Sequence, residues 1–157
     1  MATTRTVSAP FYSALLFPVV LIVGGMMEGA WLALPIVVAL GVVPLLDSVF
    51  GVDERSPSND DVAALEAAMS FRVVLYLYVL LQTVALLSMC NSWSRGDWTT
   101  WECALAIVAT GIVTGGIGIT IAHELGHRTS WLERMLGYVL LAEVVYMHFV
   151  LEDVHGH

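Results

Sequence analysis

The chain has 157 residues, 58% of them hydrophobic and only 13% charged, with a formal net charge of −8 and a mean hydropathy of +0.81. A soluble domain carries roughly 25% charged residues, so this balance excludes an ordinary soluble globule and marks an integral membrane protein. The chain has no lysine, no basic patch and no glycine-rich phosphate loop, which excludes a nucleic-acid or nucleotide-phosphate surface.

Phe11 to Met27 is apolar, Glu28-Gly29 makes a short break, and Trp31 to Leu46 is apolar again, a pattern that predicts a helical hairpin. At ~1.5 Å rise per residue, crossing a hydrocarbon core of ~30 Å takes about 20 residues, so both arms are near the lower limit. Pro18, Pro35 and Pro44 are expected to kink them, which a bundle tolerates when neighbours satisfy the freed carbonyls. Arg5 before the first apolar run imitates a secretory leader. No clean small-residue cleavage site follows, however, and the second arm begins almost at once.

Asp47 to Asp61 (DSVFGVDERSPSNDD) is acidic and rich in turn residues, and reads as the one long connection. Phe71 to Met89 is the third expected span, Asn91 to Thr100 a short loop, and Trp101 to Ala122 the fourth span. Gly111, Gly115 and Gly118 fall on nearly one face of that fourth span. The spacing allows close helix–helix approach, or reflects the general tolerance of membrane helices for glycine. Trp131 to Leu151 reads as a fifth helix whose hydrophobicity is interrupted by Glu133, Arg134, Glu143 and His148, hence buried against the bundle or lying partly in the interface. The expected fold is all-α: residues 1–157 form a single polytopic transmembrane domain of four spanning helices plus a fifth apolar helix carrying the second histidine cluster.

With alternating spans, Arg5, Arg55, Arg72, Arg128 and Arg134 share one side of the membrane and Arg95 alone marks the other. Arginine-rich short connections stay cytoplasmic, so the N-terminus, the acidic connection and the histidine clusters are expected there, in a bacterial inner membrane. Trp93, Trp98 and Trp101 then form an aromatic belt at the opposite interface. Cys90 and Cys103 each end a span. They read as two ordinary thiols, with a periplasmic disulfide as the alternative.

All five histidines lie from residue 123 onward, as His123-Glu124-Leu125-Gly126-His127 and as His148, His155 and His157. Imidazole is the commonest side-chain ligand of first-row transition metals, and two of them at i and i+4 on a helix point the same way. His148 reads as a packed or interfacial histidine. The pentapeptide matches the zinc peptidase pattern, in which the glutamate activates water. The extended peptidase form would place Gly at position 130 and His at 133, where this chain has Ser130 and Glu133; Glu143 or Glu152 could still serve as a downstream ligand. Two histidine clusters exceed what one tetrahedral zinc uses and argue for two metals.

The chain resembles the membrane-bound alkane monooxygenases of the fatty-acid desaturase and hydroxylase superfamily. The resemblance is carried by Pro44-Leu45-Leu46-Asp47 with Gly51-Val52-Asp53, by Ala122-His123-Glu124-Leu125-Gly126-His127-Arg128, and by His148-Phe149 leading to Glu152 and Gly156-His157. It implies a six-helix fold holding a non-haem centre of two iron ions on the cytoplasmic side, ligated from three histidine boxes. It further implies insertion of one oxygen atom from O2 into a terminal C–H bond of an alkane or similar apolar chain, with electrons from rubredoxin or a ferredoxin.

In the family the second box reads Glu-His, two residues, then Gly-His-His; here it reads Glu152-Asp153-Val154-His155-Gly156-His157, so Asp153 replaces a histidine, and the third box is absent. Carried over by position, His123, His127 and His157 are the iron ligands, Asp153 stands in a ligand position and His155 is a local substitute. Glu124 and Glu152 are the carboxylates expected to orient imidazoles. The chain is thus expected to be a truncated member; a membrane zinc metallopeptidase, or a non-catalytic helical remnant, is the alternative.

Overall fold

The computed structural model describes residues 9–50 and 69–147, and every regular element among them is helical. Three helices are long and apolar enough to cross a membrane: α2 (Gly29–Val49), α3 (Met69–Ser94) and α4 (Thr100–Gly126). They are accompanied by the shorter apolar α1 (Phe11–Met27) and by α5 (Trp131–Glu143). Among the described residues, three of the four expected spans are long enough to cross, and the first corresponds to the shorter α1. The acidic connection starts later than expected, because helix continues through Asp47 to Phe50.

Neither arm of the hairpin is uniform. α1 opens as a 3₁₀ turn over Ala9–Leu15 before becoming α-helical, and α2 passes through a 3₁₀ turn at Gly29–Ala33 and a π turn at Val38–Val42. Glu28 and Gly29, both at φ 57°, reverse the chain between the arms. The close approach there depends on Gly24, whose missing Cβ would lie 2.8 Å from the Trp31 carbonyl oxygen. On the same helix, Gly25 admits the Met89 sulfur of α3.

α3 is the central helix, and two buried clusters lie along it. Near its start Phe71, Leu75, Tyr78 and Val79 pack with Ala122 and Leu125 of α4 and with Leu140 and Leu141 of α5. Toward its end Ala85 and Met89 pack with Leu21, Leu32, Ala106, Ala109 and Val113. Many large apolar side chains face outward instead, among them Leu80, Leu87, Ile107 and Trp131. This is ordinary where hydrocarbon, not water, is the solvent.

The four-residue turn after α4 folds α5 back along it, and Gly137 permits the contact: a Cβ there would meet the Ala122 carbonyl at 3.0 Å and Leu125 Cβ at 3.2 Å. α5 is shorter than the expected helix from Trp131 to Leu151, stopping at Glu143. Its last residue is tied down, with Gln82 Nε2 donating to Glu143 Oε2 at 2.7 Å and Thr83 Oγ1 donating to Glu143 Oε1 at 2.6 Å. Val145 then takes φ 56°, a left-handed conformation that β-branched residues avoid. Gln82 and Thr83 stand about 18 Å along α3 from Phe71, so α5 runs from the histidine-bearing end to about the middle of that span.

Candidate metal centre

His123 lies in the last turn of α4 and His127 caps it, and a helix ending here brings their rings to one exposed face. The two Nε2 atoms are 3.2 Å apart, and the rings meet edge-on with centroids 4.5 Å apart. For metal–nitrogen bonds of about 2.1 Å, two cis ligands are about 3.0 Å apart at 90° and about 3.4 Å apart at 109°. The observed separation falls between these limits, the spacing that two ligands in adjacent positions on one transition-metal ion take.

The helix beneath them is held on its opposite side. Ala122 and Leu125 are buried against α3 and α5. Glu124 pairs with Arg128 one turn on, at 2.6 Å from carboxylate Oε1 to Nη2, and the Arg128 guanidinium lies 5.5 Å over the Phe71 ring. Glu124 thus acts on the backbone turn that carries both histidines. A second polar cluster anchors α5 beside it: the buried Glu133 accepts from Tyr76 Oη at 2.9 Å and faces Arg72 Nε at 3.7 Å. Arg72 is partly exposed, so the pair is partly screened, while Glu133 itself is buried and depends on Tyr76 for its hydrogen bond.

Of the expected site residues, the structure brings together His123 and His127 and sets Glu124 beside them. His148, Glu152, Asp153, His155 and His157 lie outside the described residues. Among the described residues no group of three or more histidine, cysteine or carboxylate side chains gathers as a metal site. Tyr76, Arg72, Glu133 and Gly137 were not singled out by sequence as supports of this end; the only signal was that Glu133 breaks an apolar run.

Of the glycine stripe, Gly118 alone makes a close approach, its missing Cβ falling 2.5 Å from Gln82 Oε1, whereas Gly111 and Gly115 face open space. Gly111 borders an apolar pocket of about 510 Å³ between α3 and α4, walled by Leu86, Met89, Trp93, Trp98, Ile107 and Thr114. Trp93 and Trp98, both on its wall, meet edge-on with ring centroids 5.8 Å apart. Cys90 and Cys103 are both free thiols.

No protein-family model matches the chain. Among curated proteins it is similar to alkane 1-monooxygenase 2 of Pseudomonas aeruginosa, 38% identical over 140 residues, covering 82% of this chain and 34% of the relative. It is likewise similar to the alkane 1-monooxygenases of Pseudomonas putida, at 33% identity over 142 residues, and of Ectopseudomonas oleovorans, at 34% over 143; each match covers 83% of this chain and 35% of the relative. The chain spans about a third of the length of the curated relatives it matches, as a partial alkane 1-monooxygenase would.

Proposed function

We propose that the chain is the membrane part of an alkane hydroxylase that contributes the first histidine pair to its metal centre. One observation carries this: His123 and His127 present two imidazole nitrogens 3.2 Å apart at the end of an apolar span, in a chain similar over four-fifths of its length to proteins named alkane 1-monooxygenase. Residues 1–157 then form one incomplete desaturase-like domain in a bacterial inner membrane. Its histidines face the cytoplasm, where rubredoxin or a ferredoxin delivers electrons.

The donor set suits iron, since neutral imidazoles bind it while leaving positions open for a further ligand. His123 and His127 would hold one ion; by position His157 would be a further ligand, with Asp153 in a ligand position and His155 a local substitute, and Glu152 would orient an imidazole. Iron bound there would supply O2 activation for hydroxylation of a C–H bond, with the two electrons coming from the donor protein and two protons taken up as water forms. The chain's own part is to bind and to orient. Arg128 and Glu124 fix the turn bearing the histidines, and α5 covers its inner side. An alkane offers no polar handle, so binding rests on apolar burial alone. The pocket between α3 and α4 is suited to this, and Thr114 on its wall is nine residues, about 14 Å, from His123 along the helix.

In the peptidase alternative Glu124 would have to activate water, whereas its carboxylate is engaged by Arg128. Metal analysis separates the two. The chain purified from iron-replete cells should retain iron, and His123→Ala with His127→Ala should lose it. One zinc per chain with chelator-sensitive peptide cleavage would overturn the proposal in favour of a peptidase.

A further inference from the structure

α4 is not a continuous α-helix: Ile112–Gly118 is a π-helical segment lying between the regular turns Thr100–Gly111 and Ile119–Gly126. A π turn replaces i+4 bonds by i+5 bonds and absorbs additional sequence without advancing the helix face. A regular helix turns ~100° per residue, so one absorbed residue rotates everything after it by about that angle. The histidine pair follows immediately. Had residues 112–118 stayed α-helical, Ala122 would stand where His123 now stands, and His123 would stand where Glu124 does.

Irregular backbone in a bilayer persists only where the disturbed polar groups are satisfied again. Three hydroxyls attend this segment. Tyr78 Oη, fully buried on α3, donates to the Val113 carbonyl at 3.1 Å. Thr120 Oγ1 donates to the Gly116 carbonyl at 3.1 Å, and Thr114 Oγ1 donates to the Thr110 carbonyl at 2.8 Å. One turn along α3 from Tyr78, the buried Gln82 amide lies against Gly118, where only glycine fits. α3 therefore grips the π segment at both ends, and the local sequence Ile112-Val113-Thr114-Gly115-Gly116-Ile117-Gly118 holds three glycines that weaken a competing α-helix.

We infer that the π segment, stabilised by Tyr78 and Thr120, is the device that aims His123 and His127 outward from the bundle, and that Tyr78 is a positioning residue for the metal pair. This rests on the histidines being metal ligands, but the rotation can be measured without metal. In a chain with Cys90→Ser and Cys103→Ser, a single cysteine is placed at 122 or at 123 and its alkylation rate is followed in membranes. Position 123 is exposed and position 122 buried, so the first should react roughly tenfold or more faster, reaction at a buried site requiring local opening. Tyr78→Phe with Thr120→Val removes two carbonyl partners and keeps side-chain volume; it should raise the rate at 122 and lower it at 123. Deleting Gly116 in the parent lets the segment become α-helical in register, and should leave the original pattern intact.

Unchanged rates in the Tyr78→Phe/Thr120→Val chain, or a swapped pattern on deleting Gly116, would overturn the inference. If the double variant fails to fold, the deletion alone decides it. Cobalt(II) titration of the parent is the separate arm: a labelling swap with no cobalt bound at the histidines would refute the metal reading and support the rotation.

Discussion

The contact that ends α5 in mid-span gives the sharpest energetic test. Glu143 accepts from Gln82 Nε2 and Thr83 Oγ1, while Gln82 Oε1 is buried with no partner. Replacing Glu143 with Leu would leave both ends of the Gln82 amide unsatisfied in a fully buried site. An orphaned buried polar group costs about 1–3 kcal/mol. Thr83 is buffered, because its hydroxyl also reaches the Val79 carbonyl at 2.9 Å. Glu143→Leu should therefore destabilise the chain by about 1–3 kcal/mol, nearly all of it through Gln82. Gln82→Leu removes the orphan, so the Gln82→Leu/Glu143→Leu chain should be more stable than the sum of the single losses allows. Interhelical hydrogen bonds in membranes average ~0.6 and reach ~1.7 kcal/mol, which sets the expected coupling. The assay is reversible unfolding in mixed micelles of the parent, both single variants and the double. Additivity within about 0.5 kcal/mol, the behaviour of independent sites, would refute the contact.

Gly24→Ala should destabilise by about 1–3 kcal/mol, since a methyl there meets rigid backbone at 2.8 Å, while Gly111→Ala, with nothing within 4 Å, should not; the same unfolding assay compares them. For topology, a single cysteine at Ser130 in the cysteine-free chain should resist an impermeant periplasmic thiol reagent and one at Ser94 should react, and the reverse pattern would remove access to a cytoplasmic electron donor. His123→Ala should sharply lower cobalt(II) uptake, while His148→Ala should change it little, as read by titration of each variant.

The three long helices were legible because stretches of about twenty mostly apolar residues leave few alternatives. Their interruptions by glutamates were legible too: Glu133 and Glu143 are satisfied against α3, as a helix buried against the bundle requires. The π turns at Val38–Val42 and Ile112–Gly118 were not legible. In a segment apolar on all sides no hydrophobic period marks the face, so a change of winding leaves no trace in the residue pattern. The same blindness left the glycine stripe undecided between close packing, which holds at Gly118, and general tolerance, which holds at Gly111 and Gly115. Gly111 and Gly115 share a face with Gly118 only if the helix is regular, and the π turn separates them. α5 was expected to continue beyond Glu143 because apolar sequence does, whereas the helix ends where Glu143 meets Gln82, sixty-one positions earlier. At the candidate metal centre, the i, i+4 histidine spacing predicted the proximity of the His123 and His127 rings. Its supports, Arg72, Tyr76 and Gly137, act across helices and carry no local signature.

The decisive measurement is alkane oxidation by a chimera in which residues 1–147 replace the corresponding stretch of the alkane 1-monooxygenase 2 of Pseudomonas aeruginosa, which supplies the rest of the chain. Cells carrying the chimera should convert an alkane that the parent relative oxidises to its 1-alcohol, and His123→Ala or His127→Ala should abolish conversion without loss of the protein from the membrane. Conversion that survives loss of both histidines, or a membrane-inserted chimera that binds iron and oxidises no alkane, would contradict the proposed role of this chain.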